Sequence, residues 1–354
     1  MTEILFSGRQ AVWLENSLLR VTVLKEGGHI AEIFDKRAGV SPLWIPHWES
    51  VEPSAFGQSQ HRQFGAGPDA KLLAGIMGHN LCLDLFGGPS QAEALAGLTV
   101  HGEASVDRYE IKESPDEIVM QLTLPLAQLR FSRSIQLHAQ FVRILEVVEN
   151  LGAMDRPLAW TQHVTLSPPF LDPATTQFRA SLTRSIASET DPGFHAYLSP
   201  GAEFAWPLAP VPGGGCADLR QMKRDAPASG YTAHLADQQR DHAYFVAFAP
   251  QFQLAFGYIW RRLDFPWLGI WEENCSRESS PWEGRTVTRG MEFGASPFPE
   301  TRREMIERNR LLDAPTYKWI AARGRLEAEY WISSEITDVV PEFLNWPEIG
   351  VGKS

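Results

Sequence analysis

The chain has 354 residues, 44% hydrophobic and 21% charged, with a formal net charge of -11. That supply of apolar side chains suits a sizeable core and excludes disorder as the default. The length allows either two ordinary domains or one large β domain. The acidic balance argues against nucleic acid or an anionic membrane surface as partner, since both need clustered Lys and Arg, and favours a neutral or cationic small molecule.

The first ten residues, MTEILFSGRQ, lack the basic and apolar regions of a signal peptide, and no run reaches the length of a membrane span. Three cysteines, Cys82, Cys216 and Cys275, show no CxxC pair, so neither a disulfide framework nor a zinc knuckle is indicated. The expectation is a protein of a reducing compartment, the cytoplasm.

From Ser17 to Lys25, Leu19, Val21 and Val23 alternate with Arg20 and Thr22, the period of a half-buried strand. The pattern returns at 116–124, at 129–137 (where Arg133 interrupts it) and at 141–149. These three segments are only a few residues apart, which suits antiparallel neighbours and leaves no room for crossover helices. Further strands are predicted at 158–166, 253–261, 285–294, 316–322 and 325–332, and one helix at 299–312, with Pro299 suited to its first turn. The stretch 197–232, rich in Gly and Pro, reads as a long surface excursion. Together these elements predict an all-β chain of packed antiparallel sheets, a single domain over 1–354.

Two of the strands carry ionisable groups. In 158–166, LAWTQHVTL, alternation sets His163 with Ala159, Thr161 and Thr165, opposite Leu158, Trp160, Val164 and Leu166. In TVTRGMEF, Glu292 shares a face with Thr286, Thr288 and Gly290, opposite Val287, Met291 and Phe293. A carboxylate on a central strand is costly unless paired or lining a cavity. A His and a Glu facing one pocket can serve as general acid and general base. The bland alternatives are a core histidine bonded to a backbone carbonyl and a structural ion pair of Glu292 with Arg289. His79 and Asn80 in AGIMGHNLCLD, and His101 beside Gly102 and Glu103, mark turns that bring backbone close to something. In DFPWLGIWEEN, Trp267 and Trp271 stand beside Glu272, Glu273 and Asn274, an aromatic face next to polar groups of the kind that holds a sugar ring. A metal site built from His79, His101 and His163 lacks any HxH or HExxH spacing. GxSxG, P-loop and GxGxxG patterns are absent as well.

Several segments, in order, resemble the galactose mutarotase-like (aldose 1-epimerase) superfamily. LENSLLRVTVLKEGGHIAEIFDKRAG, with Gly27-Gly28, and then Leu43-Trp44 resemble its opening; VHGEA at 100–104 is similar to its His-Gly motif, TQHVTL at 161–166 to its catalytic-histidine strand, DHAYFV at 241–246 to its Asp-His segment and RGMEFG at 289–294 to its catalytic-glutamate strand. The resemblance implies a large antiparallel β-supersandwich and a cofactor-free isomerase of a hexose or related sugar. It makes His163 the acid at the ring oxygen and Glu292 the base at the anomeric hydroxyl, with His101 and Asp241 on sugar hydroxyls. The chain departs from the family at Gln162, where an asparagine is usual, at GHNLCLD, where a sugar-binding arginine is usual, and at Glu103, which replaces a glycine. These departures place it nearer a bacterial branch than the galactose enzymes, with His79, Trp271 and Asn274 as expected replacements in ring binding. Two alternatives stand beside this reading: a non-catalytic carbohydrate-binding protein, and a lyase or hydrolase in which Glu272 or Glu273 supplies a second carboxylate.

Overall fold

The computed structural model describes residues 4–190 and 195–348. Two antiparallel sheets, of eleven and eight strands, lie face to face. In spatial order the larger runs Ile4–Phe6, Arg9–Glu15, Leu19–Leu24, Ile30–Asp35, His79–Leu83, Trp160–Leu166, Val287–Gly294, Trp267–Asn274, Ala228–Ala236, Leu182–Ala187 and Glu203–Ala205. The His163 strand is therefore the central one, with the Glu292 strand beside it. The smaller sheet runs Gln177–Ala180, His242–Ala249, Leu254–Arg261, Arg325–Ile336, Phe141–Asn150, Leu129–His138, Glu117–Leu124 and Glu110–Glu113.

One hydrophobic cluster joins the facing sides of both sheets, taking Val21, Leu81, Trp160, Val164, Met291 and Phe293 from one and Ile118, Phe131, Ile144, Phe256, Tyr258 and Tyr330 from the other. Val21, Trp160, Val164, Met291, Phe293, Ile118 and Phe131 are residues that the period-two pattern assigns to apolar faces, and burial of such faces on both sides of the interface is the main stabilising term of a sandwich. The predicted strands are present, 316–322 only as the three residues Lys318–Ile320, which pair with Arg156–Leu158 outside the two large sheets. Arg133, the interruption in the second of them, lies in the inter-sheet core and donates to Glu146 Oε1 at 2.7 Å.

Two local expectations change. The helix spans Arg302–Arg308 rather than 299–312: Thr301 caps it, with Glu304 completing a capping box, and Asn309 ends it at φ 56°. The excursion also ends early, because Ala228–Ala236 is a wholly buried strand paired to Trp267–Asn274. Its sequence, ASGYTAHLA, is made largely of small residues, so its apolar alternation is weak although the strand, ninth of the eleven, is paired on both sides.

Candidate active site

The site lies on the face of the large sheet turned away from the smaller one. Antiparallel register pairs His163 with Asn80 on one side and with Glu292 on the other, and pairs Glu292 with Gly269. A directly opposed cross-strand pair brings side chains within contact range. His163 Nε2 and Glu292 Oε1 are 3.1 Å apart. His163 Nδ1 is 3.1 Å from the Thr165 hydroxyl, two residues along the same strand face. Both groups are nearly out of solvent, Glu292 at 2% exposure and His163 at 7%.

Burial governs the charge of this pair. Desolvation pushes the Glu292 carboxyl up to about 8, opposed in part by the nearby Tyr231 hydroxyl, a donor that favours the carboxylate. Desolvation likewise pushes the His163 imidazole down to about 4. Between those limits the pair holds one proton, and the titration belongs to the pair rather than to either residue.

The pair opens onto a cavity of about 230 Å³. That is below the roughly 300–1,000 Å³ of drug-sized sites, so it suits one small ring. Trp44, Phe86, Tyr231, Trp271 and Trp282 supply flat walls, and Leu72, Leu73 and Ile76 an apolar side. The Trp44 and Trp282 rings are stacked at 6.0 Å, and Trp271 meets Trp282 edge-on at 6.2 Å. Arg277 lies over Trp282 at 4.5 Å and over Trp271 at 5.4 Å, with its Nε 3.4 Å from Glu273 Oε2.

His101 reaches the cavity through a turn that needs special backbone: its own φ is 67° and that of Gly102 is 78°, where an added Cβ would stand 2.4 Å from the Leu83 carbonyl oxygen. The Asn80 amide donates to His101 Nδ1 at 3.1 Å, which leaves the Nε2 hydrogen as donor. Desolvation holds His101 well below its ordinary value, hence neutral.

Thus His163, Glu292, His101 and Trp271 come together on the cavity, with Asn80 behind His101. Three other expected residues do not. His79 pairs with Val164 and so faces the inter-sheet core, where its Nε2 is 2.9 Å from Gln162 Oε1. Asn274 is three residues from Trp271 on one strand, and an odd offset means the opposite face; its amide donates to the Lys223 carbonyl at 2.8 Å. Asp241 is exposed in the link that carries the chain from the large sheet to the small one. The metal reading fails on the same geometry, since His79 lies on one face of the sheet and His101 and His163 on the other. Glu272 also faces away, bonded to Tyr197 at 2.5 Å and 3.2 Å from Arg289, while Glu273 accepts from the Ser276 hydroxyl at 2.7 Å.

Sequence reasoning missed Tyr231, Arg277, Trp282 and Phe86, and used Trp44 only as a landmark. Tyr231 was legible through alternation with Ala233 and Leu235, had the excursion not been run over it. Arg277 and Trp282 lie in the irregular link between two strands, where no periodicity says what faces inward.

No family model matches the sequence, and no curated protein matches it. Solved structures do share its fold, which is that of the galactose mutarotase-like proteins. A candidate aldose 1-epimerase of Klebsiella pneumoniae superposes with a TM-score of 0.62 at 14% identity, over 94% of this chain and 80% of the other. A candidate aldose 1-epimerase of Escherichia coli K12 gives 0.61 at 14% identity, over 92% and 99%. A galactose mutarotase-like protein of Clostridium acetobutylicum gives 0.60 at 12% identity, over 95% and 98%.

Proposed function

We propose that this protein is an isomerase of the aldose 1-epimerase kind, opening and reclosing the ring of a free hexose or related sugar. The observation that carries the reading is the 3.1 Å pair of His163 Nε2 and Glu292 Oε1 at the floor of an aromatic cavity. Ring opening breaks the bond between C1 and the ring oxygen while one proton arrives at that oxygen and another leaves the anomeric hydroxyl. Both oxygens sit on the same carbon, so two groups that touch in the empty cavity can each meet one of them when the sugar enters.

In the ionised tautomer, His163 gives its proton to the ring oxygen and Glu292 takes one from the anomeric hydroxyl. The pair is then left neutral, the form that burial favours. Rotation about C1–C2 presents the other face of the aldehyde, and closure runs the two transfers backward. The net proton count never changes. Stacking of the ring's apolar face on Trp271 or Trp282 and donation from His101 Nε2 to a hydroxyl would hold the sugar.

Charge supports an unphosphorylated sugar. Among the described residues the cavity wall has one cation, Arg277, and Glu273 already pairs with it. Arg302 is bound to Asp84 and Glu93, Arg303 to Glu307, and Arg261 lies near Glu329 on the other sheet. The hydrolase alternative lacks support, because Glu272 and Glu273 are engaged elsewhere.

The deciding experiment is exchange NMR between anomers of a panel of free aldoses, with wild type and Glu292→Gln. Acceleration that the substitution abolishes is the expected result. Binding of a sugar with no acceleration for any aldose would overturn the isomerase in favour of a carbohydrate-binding protein.

A further inference from the structure

Tyr231 belongs to a strand two positions from that of Glu292, with the Gly269 strand between them. A side chain at position 269 would block any contact across that gap: a Cβ built there stands 2.1 Å from the Tyr231 hydroxyl and 3.5 Å from Glu292 Cβ. The strand conformation of Gly269 is ordinary for any residue, as its φ is not positive. The glycine is therefore explained by space rather than by backbone freedom. The Tyr231 hydroxyl donates to the Pro297 carbonyl at 3.1 Å and, across the gap at Gly269, stands beside Glu292, whose carboxyl is its second available acceptor. A phenol has one hydrogen to donate, so it serves one of them at a time.

We infer that Tyr231 is a positioning residue for Glu292, its hydroxyl switching donation from the Pro297 carbonyl to the Glu292 carboxylate whenever Glu292 gives up its proton. This deepens the isomerase reading, in which Glu292 must pass between acid and carboxylate in every turnover. With Glu292 protonated, the Glu292 hydroxyl donates to His163 and Tyr231 donates to Pro297. With Glu292 ionised, the carboxylate accepts from His163 on one side and from Tyr231 on the other, which offsets part of the desolvation that opposes its charge. No proton passes through the phenol, which burial holds well above its ordinary value and so keeps a donor. The carbonyl of Pro297 parks that donor during the other half of the cycle. Without it, the buried hydroxyl would be left in the protonated state with the carbonyl oxygen of a neutral carboxyl group, a weaker acceptor than a carboxylate.

Two substitutions separate this role from wall-building. Tyr231→Phe keeps the ring and removes the donor; Gly269→Ala keeps the donor and pushes it out of place. The first measurement is a ¹³C NMR titration of the Glu292 carboxyl in the ligand-free, Glu-labelled protein, assigned by its loss in Glu292→Gln. Both variants are expected to move that titration upward by roughly one pH unit, a tenfold change in the ionised fraction. The anomer-exchange profile should follow, its plateau falling about tenfold and its basic limb moving up, with KM little changed. An unmoved carboxyl titration in Tyr231→Phe overturns the inference, even if the wild type turns over an aldose. A moved titration in a protein that accelerates no aldose upholds the switch and sinks the isomerase reading instead, so the two failures are distinguishable.

Discussion

The central strand Trp160–Leu166 carries a buried polar cluster on each face, and the two are built differently. On the inner face Gln162 donates to Glu146 Oε2 at 2.7 Å and accepts from Arg133 at 3.3 Å and from His79, while Trp160 and Tyr330 each donate to Glu146 at 2.9 Å. Every member has its partners and is buried between the two sheets. On the outer face, His163 and Glu292 have each other, Thr165 and Tyr231, and then a cavity. Both clusters contain a histidine held neutral by burial and a buried glutamate. Burial of ionisable groups therefore does not separate a scaffold from a site; the unfilled space in front of one pair does.

This contrast is most directly broken by substitution on each face. Glu292→Gln should lower anomer exchange by about 10²–10⁴-fold, the usual scale of a general acid or base, with no lowering of the urea midpoint of unfolding at pH 6.5. Glu146→Gln on the inner face should do the reverse. It strands the Arg133 charge in the core, at a cost of about 3–5 kcal/mol read as a lower urea midpoint, while turnover per folded molecule stays near wild type. Loss of turnover with no loss of stability in Glu146→Gln would erase the distinction.

A pH series sharpens it. Folded Glu292 titrates near 8 rather than 4.5, so between those values unfolding releases a proton and rising pH favours the unfolded chain. Folded His163 titrates near 4 rather than 6.5, so over that range unfolding takes up a proton and rising pH favours the folded chain. The two oppose each other up to pH 6.5, and from there to 8 the Glu292 contribution acts alone. Wild type should accordingly lose stability from pH 6.5 to 8 relative to Glu292→Gln, as a widening difference in Tm. For activity, the one-proton state predicts a bell in kcat/KM with limbs near 4 and 8. The smallest effect should come from Trp271→Ala, which removes a stacking wall without touching the proton transfers: KM should rise about tenfold with kcat changed far less, as measured by anomer-exchange kinetics.

Much of this was readable in advance, for a local reason. Strand periodicity is a property of neighbouring residues, so alternation set His163 opposite Trp160 and Val164, and set Glu292 apart from Met291 and Phe293, without knowledge of any other strand. The motif order around Gly27-Gly28, His101, His163 and Glu292 pointed to the same sandwich. The errors also have a common origin. His79 looked like a site residue because a histidine beside a glycine turn says nothing about which side of the sheet it will face. Asn274 was grouped with Trp271 by closeness in sequence, against the two-residue repeat that puts them on opposite faces. Asp241 was carried over from the resemblance alone.

What the sequence determined by itself is the class of fold and the membership of each strand face, because these depend on hydrophobic alternation over a few residues. Register was decided by the tertiary structure: which residue of one strand stands across from which residue of another follows from the packing of whole sheets and the links between them. Only that register puts His163 against Glu292, leaves Gly269 as the gap that admits the Tyr231 hydroxyl, and folds the link bearing Arg277 and Trp282 over the cavity. The side of the sheet that becomes core was settled in the same way, by where the second sheet packs, and this is why one face of a single strand became scaffold and the other a site.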